Sequence, residues 1–127
     1  MIVELCIVML SGFVDCSWDL HVFPTNTVPC GSEKLAVGCT WLGAKIIFMT
    51  KTAYENDVQD KYGNTILEHE KKHAVCDCNW HKNYDQKLES GNYMLLNNKL
   101  YNKNELYQED GIWIQKGYTL EEWIRLQ

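Results

Sequence analysis

The sequence contains no long run of lysine or arginine. Its 12 basic residues are outnumbered by 17 acidic ones, giving a formal charge of -5 and a pI near 5.3, so nucleic acid and anionic membrane surfaces find little to hold. No stretch is apolar for long enough to span a bilayer: the best, residues 1–14, falls short of the roughly 20 residues a helix needs. Internal repeats and low-complexity linkers are missing, and the only two prolines, Pro24 and Pro29, share one turn-rich stretch. CxxC pairs are missing as well, which argues against a zinc ribbon.

What is present is ordinary for a folded chain. Apolar residues make up 46% and charged residues 23% of the 127 positions, close to globular averages, and the length suits one domain over residues 1–127. Six cysteines (Cys6, Cys16, Cys30, Cys39, Cys76, Cys78) are many for this length; they favour disulfides in an oxidising compartment, secreted or periplasmic. Cys30 and Cys39 flank a loop with Gly31 and Gly38 and are the expected pair. Cys76 and Cys78 sit so close that each is expected to take a distant partner or none. Residues 1–14 read either as a short signal-peptide core ending near Ser11-Gly12 or as a buried strand over residues 2–10. Glu4 and the lack of a preceding basic residue weigh against the first, and Asp15 weighs against a lipoprotein site at Cys16.

Weak strand signals occur at residues 19–22 and 35–37, and a stronger one at 44–50, where Ile46, Ile47 and Phe48 cluster. The clearest helix covers residues 65–75. Gly63-Asn64 precedes it, Thr65 and Glu68 fit a capping box, and Ile66, Leu67, Glu70, His73 and Ala74 recur at helical spacing. Beyond residue 81, Asn97-Asn98 predicts a hairpin and Glu109-Asp110-Gly111 a second. A final helix at 119–126 opens on the capping box Thr119 to Glu122 and would bury Leu120, Trp123 and Ile124 or Leu126.

The chemistry concentrates at His69-Glu70-Lys71-Lys72-His73. Two histidines four apart project from one helix face and can reach a single ion, while the glutamate after the first lies about 100° round the helix, placed for a water on that ion. A catalytic zinc takes three protein ligands and leaves the fourth place open. His81, eight residues past His73 and beyond a chain reversal at residues 76–79, is the better third ligand. Asp77 competes with it, and Cys76 or Cys78 as thiolates would instead close a structural site. His21 reads as a strand histidine. Tyr84 is a candidate oxyanion donor, with a core tyrosine as the competing role. Trp80 is placed to pack over the site, with an ordinary core role as its equal alternative, and Asp85 to orient a ligand imidazole, with a solvated helix face as its alternative.

These residues, with Val28-Pro29-Cys30 and Gly38-Cys39-Thr40, resemble small zinc metallopeptidases of bacteria and their phages, over roughly residues 18–81. The shared pattern is the five-residue motif followed by a histidine eight positions later. Metzincins differ: their third histidine comes six residues after the second with a glycine between, positions held here by Asn79 and Cys76. The resemblance implies His69, His73 and His81 as zinc ligands and Glu70 as the base. The resulting expectation is an α+β, zincin-like domain: an antiparallel sheet on an active-site helix (18–81), then a C-terminal meander and short helix (92–127). Its function would be zinc-dependent hydrolysis of a peptide or protein substrate. The alternative is a non-catalytic binding or structural protein stapled by metal and disulfides.

Overall fold

The computed structural model describes residues 1–31 and 35–127. The chain divides into two compact units, Met1–Trp80 and His81–Gln127.

The first unit is built on a four-stranded sheet. Strands β1 (Ile2–Val8), β2 (Val14–Phe23), β5 (Gly38–Trp41) and β6 (Ile46–Thr50) lie in the order β1-β2-β6-β5. The short strands β3 (Val28–Pro29) and β4 (Leu35–Ala36) pair with each other in the connection from β2 to β5. The sheet is mixed, which corrects the antiparallel expectation: β2 and β6 run parallel, with Leu20 opposite Ile47 and Val22 opposite Met49. The reason is positional. β5 and β6 form a local antiparallel pair, and when that pair docks beside β2 the inner strand is the one that runs in the same direction.

Period-two alternation decides which face is buried. Trp18, Leu20 and Val22 of β2 join Ile47 and Met49 of β6 and Ile7 of β1 in one core, while the intervening His21, Phe23 and Phe48 form ring contacts on the other face. β1 is a strand, but only Ile7 in it is fully buried, and Ile2 and Val8 are exposed. It is stapled to β2 by the Cys6–Cys16 disulfide, where one extra β2 residue makes a bulge.

Two helices follow the sheet. Helix α1 (Lys51–Glu55), which the sequence did not announce, is capped by the Thr50 hydroxyl accepting from Ala53 N–H. Helix α2 (Ile66–Cys76) matches the expected site helix. Thr65 caps it by accepting from Glu68 N–H, one half of the expected capping box, and its buried residues are Ile66, Glu70 and Ala74. Ile66 and Ala74 enter the sheet core.

The second unit contains most of helix α3 (Trp80–Glu89), whose first residue closes the first unit. The sequence sets no helix bounds there and offers only a solvated helix face at Asp85. Two hairpins come next. β7 (Tyr93–Leu96) pairs with β8 (Lys99–Asn102) across Asn97-Asn98, both at positive φ. β9 (Leu106–Glu109) pairs with β10 (Ile112–Gln115) across Asp110-Gly111, also both positive. This is the conformation that primed hairpin turns demand of asparagine, aspartate and glycine. Helix α4 (Leu120–Arg125) carries the full Thr119–Glu122 capping box. Trp123 is buried with Leu106 and Ile114, but Ile124 and Leu126 are exposed, against expectation. A six-residue helix offers only one inward turn, and Trp123 occupies it.

Candidate metal centre

Helix α2 carries three of the four residues at the centre. His69 and His73 lie one turn apart with ring centroids 5.1 Å from each other, and Glu70 sits between the helix and β5, 6% exposed. The helix ends at Cys76, where Asp77 takes the left-handed conformation and donates its N–H to His73 O. This cap turns the chain so that α3 begins at Trp80. Ligand atoms of His69, His73 and His81 all fall within 4.8 Å of one another. A tetrahedral zinc holds nitrogens about 3.3 Å apart, so the three imidazoles would have to draw closer to share an ion.

Hydrogen bonds fix the tautomers. His69 Nδ1 is 2.7 Å from Asp60 Oδ2, and His73 Nδ1 is 3.1 Å from the Cys78 carbonyl oxygen. A carbonyl oxygen and an ionised carboxylate only accept, so in both rings Nδ1 carries the hydrogen, and in the neutral ring Nε2 is left with the lone pair that a metal requires. Asp60 is kept ionised. Its burial works to raise the carboxyl pKa, but hydrogen bonds from His69, from the Asn64 and Tyr62 N–H groups and from the Asn64 amide outweigh it and leave it below the ordinary range. The same bonds close the 60–64 turn: Asp60 Oδ1 accepts from Tyr62 N–H at 2.8 Å and Asn64 N–H at 2.9 Å, while Gly63 supplies a positive φ.

Glu70 is held from the sheet side. The Thr40 hydroxyl is shared between its Oε1, at 3.0 Å, and its backbone oxygen, at 2.9 Å. Its Oε2 lies 3.8 Å from His69 Nε2. Burial pushes the Glu70 pKa up, against the charge of His69 and the Thr40 hydrogen bond. Gly38 permits this approach: a Cβ there would stand 2.6 Å from Ile66 Cγ2 and 3.3 Å from Glu70 Oε2. A cavity of about 190 Å³ opens beside Glu70 and His73, walled by Thr40, Leu42 and the sulfur-bearing residues Cys30, Cys39 and Cys78.

Trp80 packs as expected, its ring 4.8 Å from that of His69 and 5.8 Å from that of His73, with Tyr62 behind it at 5.3 Å. The competing ligands fare differently. Asp77 is an exposed helix cap, and among the described residues the group that could hold an ion is His69, His73 and His81. Cys76 and Cys78 are bridged to each other, not to distant partners, and so offer no thiolate. The left-handed Asp77 brings their Cα atoms to 5.1 Å, within the range of a disulfide. Cys30 pairs with Cys39 as expected. Tyr84 and Asp85 lie half-buried one turn beyond His81 on α3. His21 is outside the cluster, against Phe48.

Sequence reasoning missed Asp60 and gave Thr40 no role. Asp60 was findable in principle, since an aspartate three residues before Gly63-Asn64 is turn chemistry, but nothing local says which ring such a turn will meet. No known protein family, curated protein or solved structure matches the chain.

Proposed function

We propose that the chain is a zinc-dependent hydrolase acting on peptide bonds. The observation that carries this reading is the pair of imidazoles locked as Nδ1–H tautomers by Asp60 and Cys78 beside a buried glutamate. Three imidazoles suit zinc among the borderline ions, and a set of three leaves one coordination place for chemistry. Bound zinc would supply Lewis acidity, bringing the pKa of a water towards neutrality and polarising a carbonyl.

The rest falls to the protein. Glu70, tied at Oε1 by Thr40, turns Oε2 towards the His69 Nε2 side, where it can take a proton from water and return it to the leaving amine. Its raised pKa suits both halves of that task. Trp80, backed by Tyr62, packs against the imidazoles. The cavity beside Glu70 has room for a substrate side chain of moderate size.

Glu70→Gln is the direct test. A hydrolase keeps its zinc and loses peptide cleavage, read by mass spectrometry of a peptide mixture. A second reading, a metal- and disulfide-stapled binding protein, draws on the three disulfides. It requires that wild type and Glu70→Gln behave alike in every assay.

A further inference from the structure

We infer that the Cys76–Cys78 disulfide is a thiol–disulfide exchange site whose redox state sets the metal affinity of the histidine cluster. The inference rests on the metal-centre reading. Its observations are the position of the bridge and the hydrogen bond beside it.

Cys76 is the last residue of α2, three positions after His73, and Cys78 follows the left-handed cap Asp77. The bridge therefore closes a ring of three residues around the point where the helix stops. One of those residues supplies the acceptor for His73: the Cys78 carbonyl oxygen, 3.1 Å from His73 Nδ1. The bond that orients a ligand ring is thus made by the backbone of a cystine residue. Neither of the other bridges does this. Cys6–Cys16 joins two strands already held by their ladder, and in Cys30–Cys39 the second sulfur belongs to a residue only 4% exposed.

Access permits exchange here, as it does at Cys6–Cys16, whose two residues are also exposed; what sets Cys76–Cys78 apart is its bond to His73. Cys76 and Cys78 are both exposed, as attack on a disulfide sulfur by an external thiolate requires. With a dithiol reductant the exchange balances simply. One reductant sulfur attacks, the mixed disulfide is displaced by the second, and the reductant leaves as its own disulfide. Two electrons and two protons pass to the protein, and Cys76 and Cys78 become free thiols. The chain from 76 to 78 then has only the Asp77 cap to hold its shape, and a left-handed non-glycine residue is costly to hold without support. As residue 78 moves, its carbonyl leaves His73 Nδ1. Loss of such an outer partner typically weakens metal binding about 10- to 100-fold. Reoxidation restores it.

Three measurements test this. Zinc affinity is titrated by competition with a chromophoric chelator for the oxidised protein, for protein reduced with a phosphine and desalted, and for Cys76→Ser/Cys78→Ser with the other bridges intact. The expected result is a loss of about tenfold or more in the serine variant, which has no thiolate at residues 76 and 78 to take zinc itself. Peptide mapping after brief reduction and alkylation should find label on Cys76 and Cys78 before Cys30 and Cys39. The imidazole nitrogen shifts of His73, recorded without metal, should move from a hydrogen-bonded Nδ1–H in the oxidised chain to a tautomer mixture in the variant. Equal zinc affinity in all three samples, with an unmoved His73, overturns the proposal. If no sample binds zinc while His73 still responds to the bridge, the metal reading fails and the coupling stands. Circular dichroism identifies a variant that has merely unfolded; Cys76→Ala, which leaves the other thiol in place, then replaces it in the same titration.

Discussion

Asp60 Oδ2 and His69 Nδ1 stand 2.7 Å apart, and Asp60 Oδ1 at the same time ties the 60–64 turn through two backbone N–H groups. One carboxylate thus serves two tasks through its two oxygens. Asp60→Asn separates them. The retained oxygen can still accept from Tyr62 and Asn64, but an amide NH2 now faces His69 and donates. The ring must then accept at Nδ1 and carry its hydrogen on Nε2, where the lone pair is needed. Zinc affinity should fall about 10- to 100-fold with little loss of fold, measured by competition titration alongside circular dichroism. Unaltered affinity would remove Asp60 from the site.

Glu70→Gln should lower peptide turnover by about 10²- to 10⁴-fold, the usual worth of a general base, with zinc content unchanged. The metal-free protein supplies a second readout. Burial raises the folded-state pKa of Glu70, so the folded chain binds its proton more tightly than the unfolded chain. Folding is therefore penalised once pH exceeds the unfolded carboxylate pKa, and the penalty vanishes below it. The metal-free glutamine variant should melt higher than wild type at neutral pH, with the difference closing in the acid range.

Gly38→Ala places a methyl group 2.6 Å from Ile66 Cγ2. Either β5 or α2 must yield, at a cost of about 1–3 kcal/mol. Thermal unfolding checks this, and cleavage should suffer beyond the stability loss because Glu70 shares the contact. An alanine variant as stable as wild type would show that the strand and helix are not packed this closely.

Asp15 is held far below the usual carboxylate range by the Ser17 hydroxyl, the Ser17 N–H and the Lys45 ammonium. With the folded pKa depressed, its contribution to stability is present above the unfolded pKa and is lost as pH falls through the folded one. A carboxyl-carbon NMR titration should find Asp15 still ionised where other aspartates have protonated. Ser17→Ala should move it back towards them.

How much of this was legible in the sequence depends on how local the determinants are. The site helix, its Thr65 cap, both hairpin turns and the α4 capping box are written in neighbouring residues, and they appear where expected. The direction of β2 against β6 is not local: it depends on where the β5–β6 pair docks. The Cys76–Cys78 bridge depends on one left-handed residue, Asp77, which sequence spacing does not show. Asp60 and Thr40 reach the site from separate turns and strands, so only the folded chain reveals their partners.

The parallel pairing of β2 with β6 also orders events in time. Leu20 and Ile47 are neighbours in the sheet although a long connection separates them in the chain, so their contact forms only after a large loop has closed, a slow step. Helix α2 rests on β5 and β6, and its Ile66 and Ala74 share a core with Leu20 and Val22 of β2, so the support for His69 and His73 is complete only once β2 has docked. An ion that binds only the finished arrangement leaves the rate-limiting step of refolding untouched and acts on the way out, by slowing the escape from the native state. In this chain, metal would lengthen the lifetime of the fold without hastening its birth.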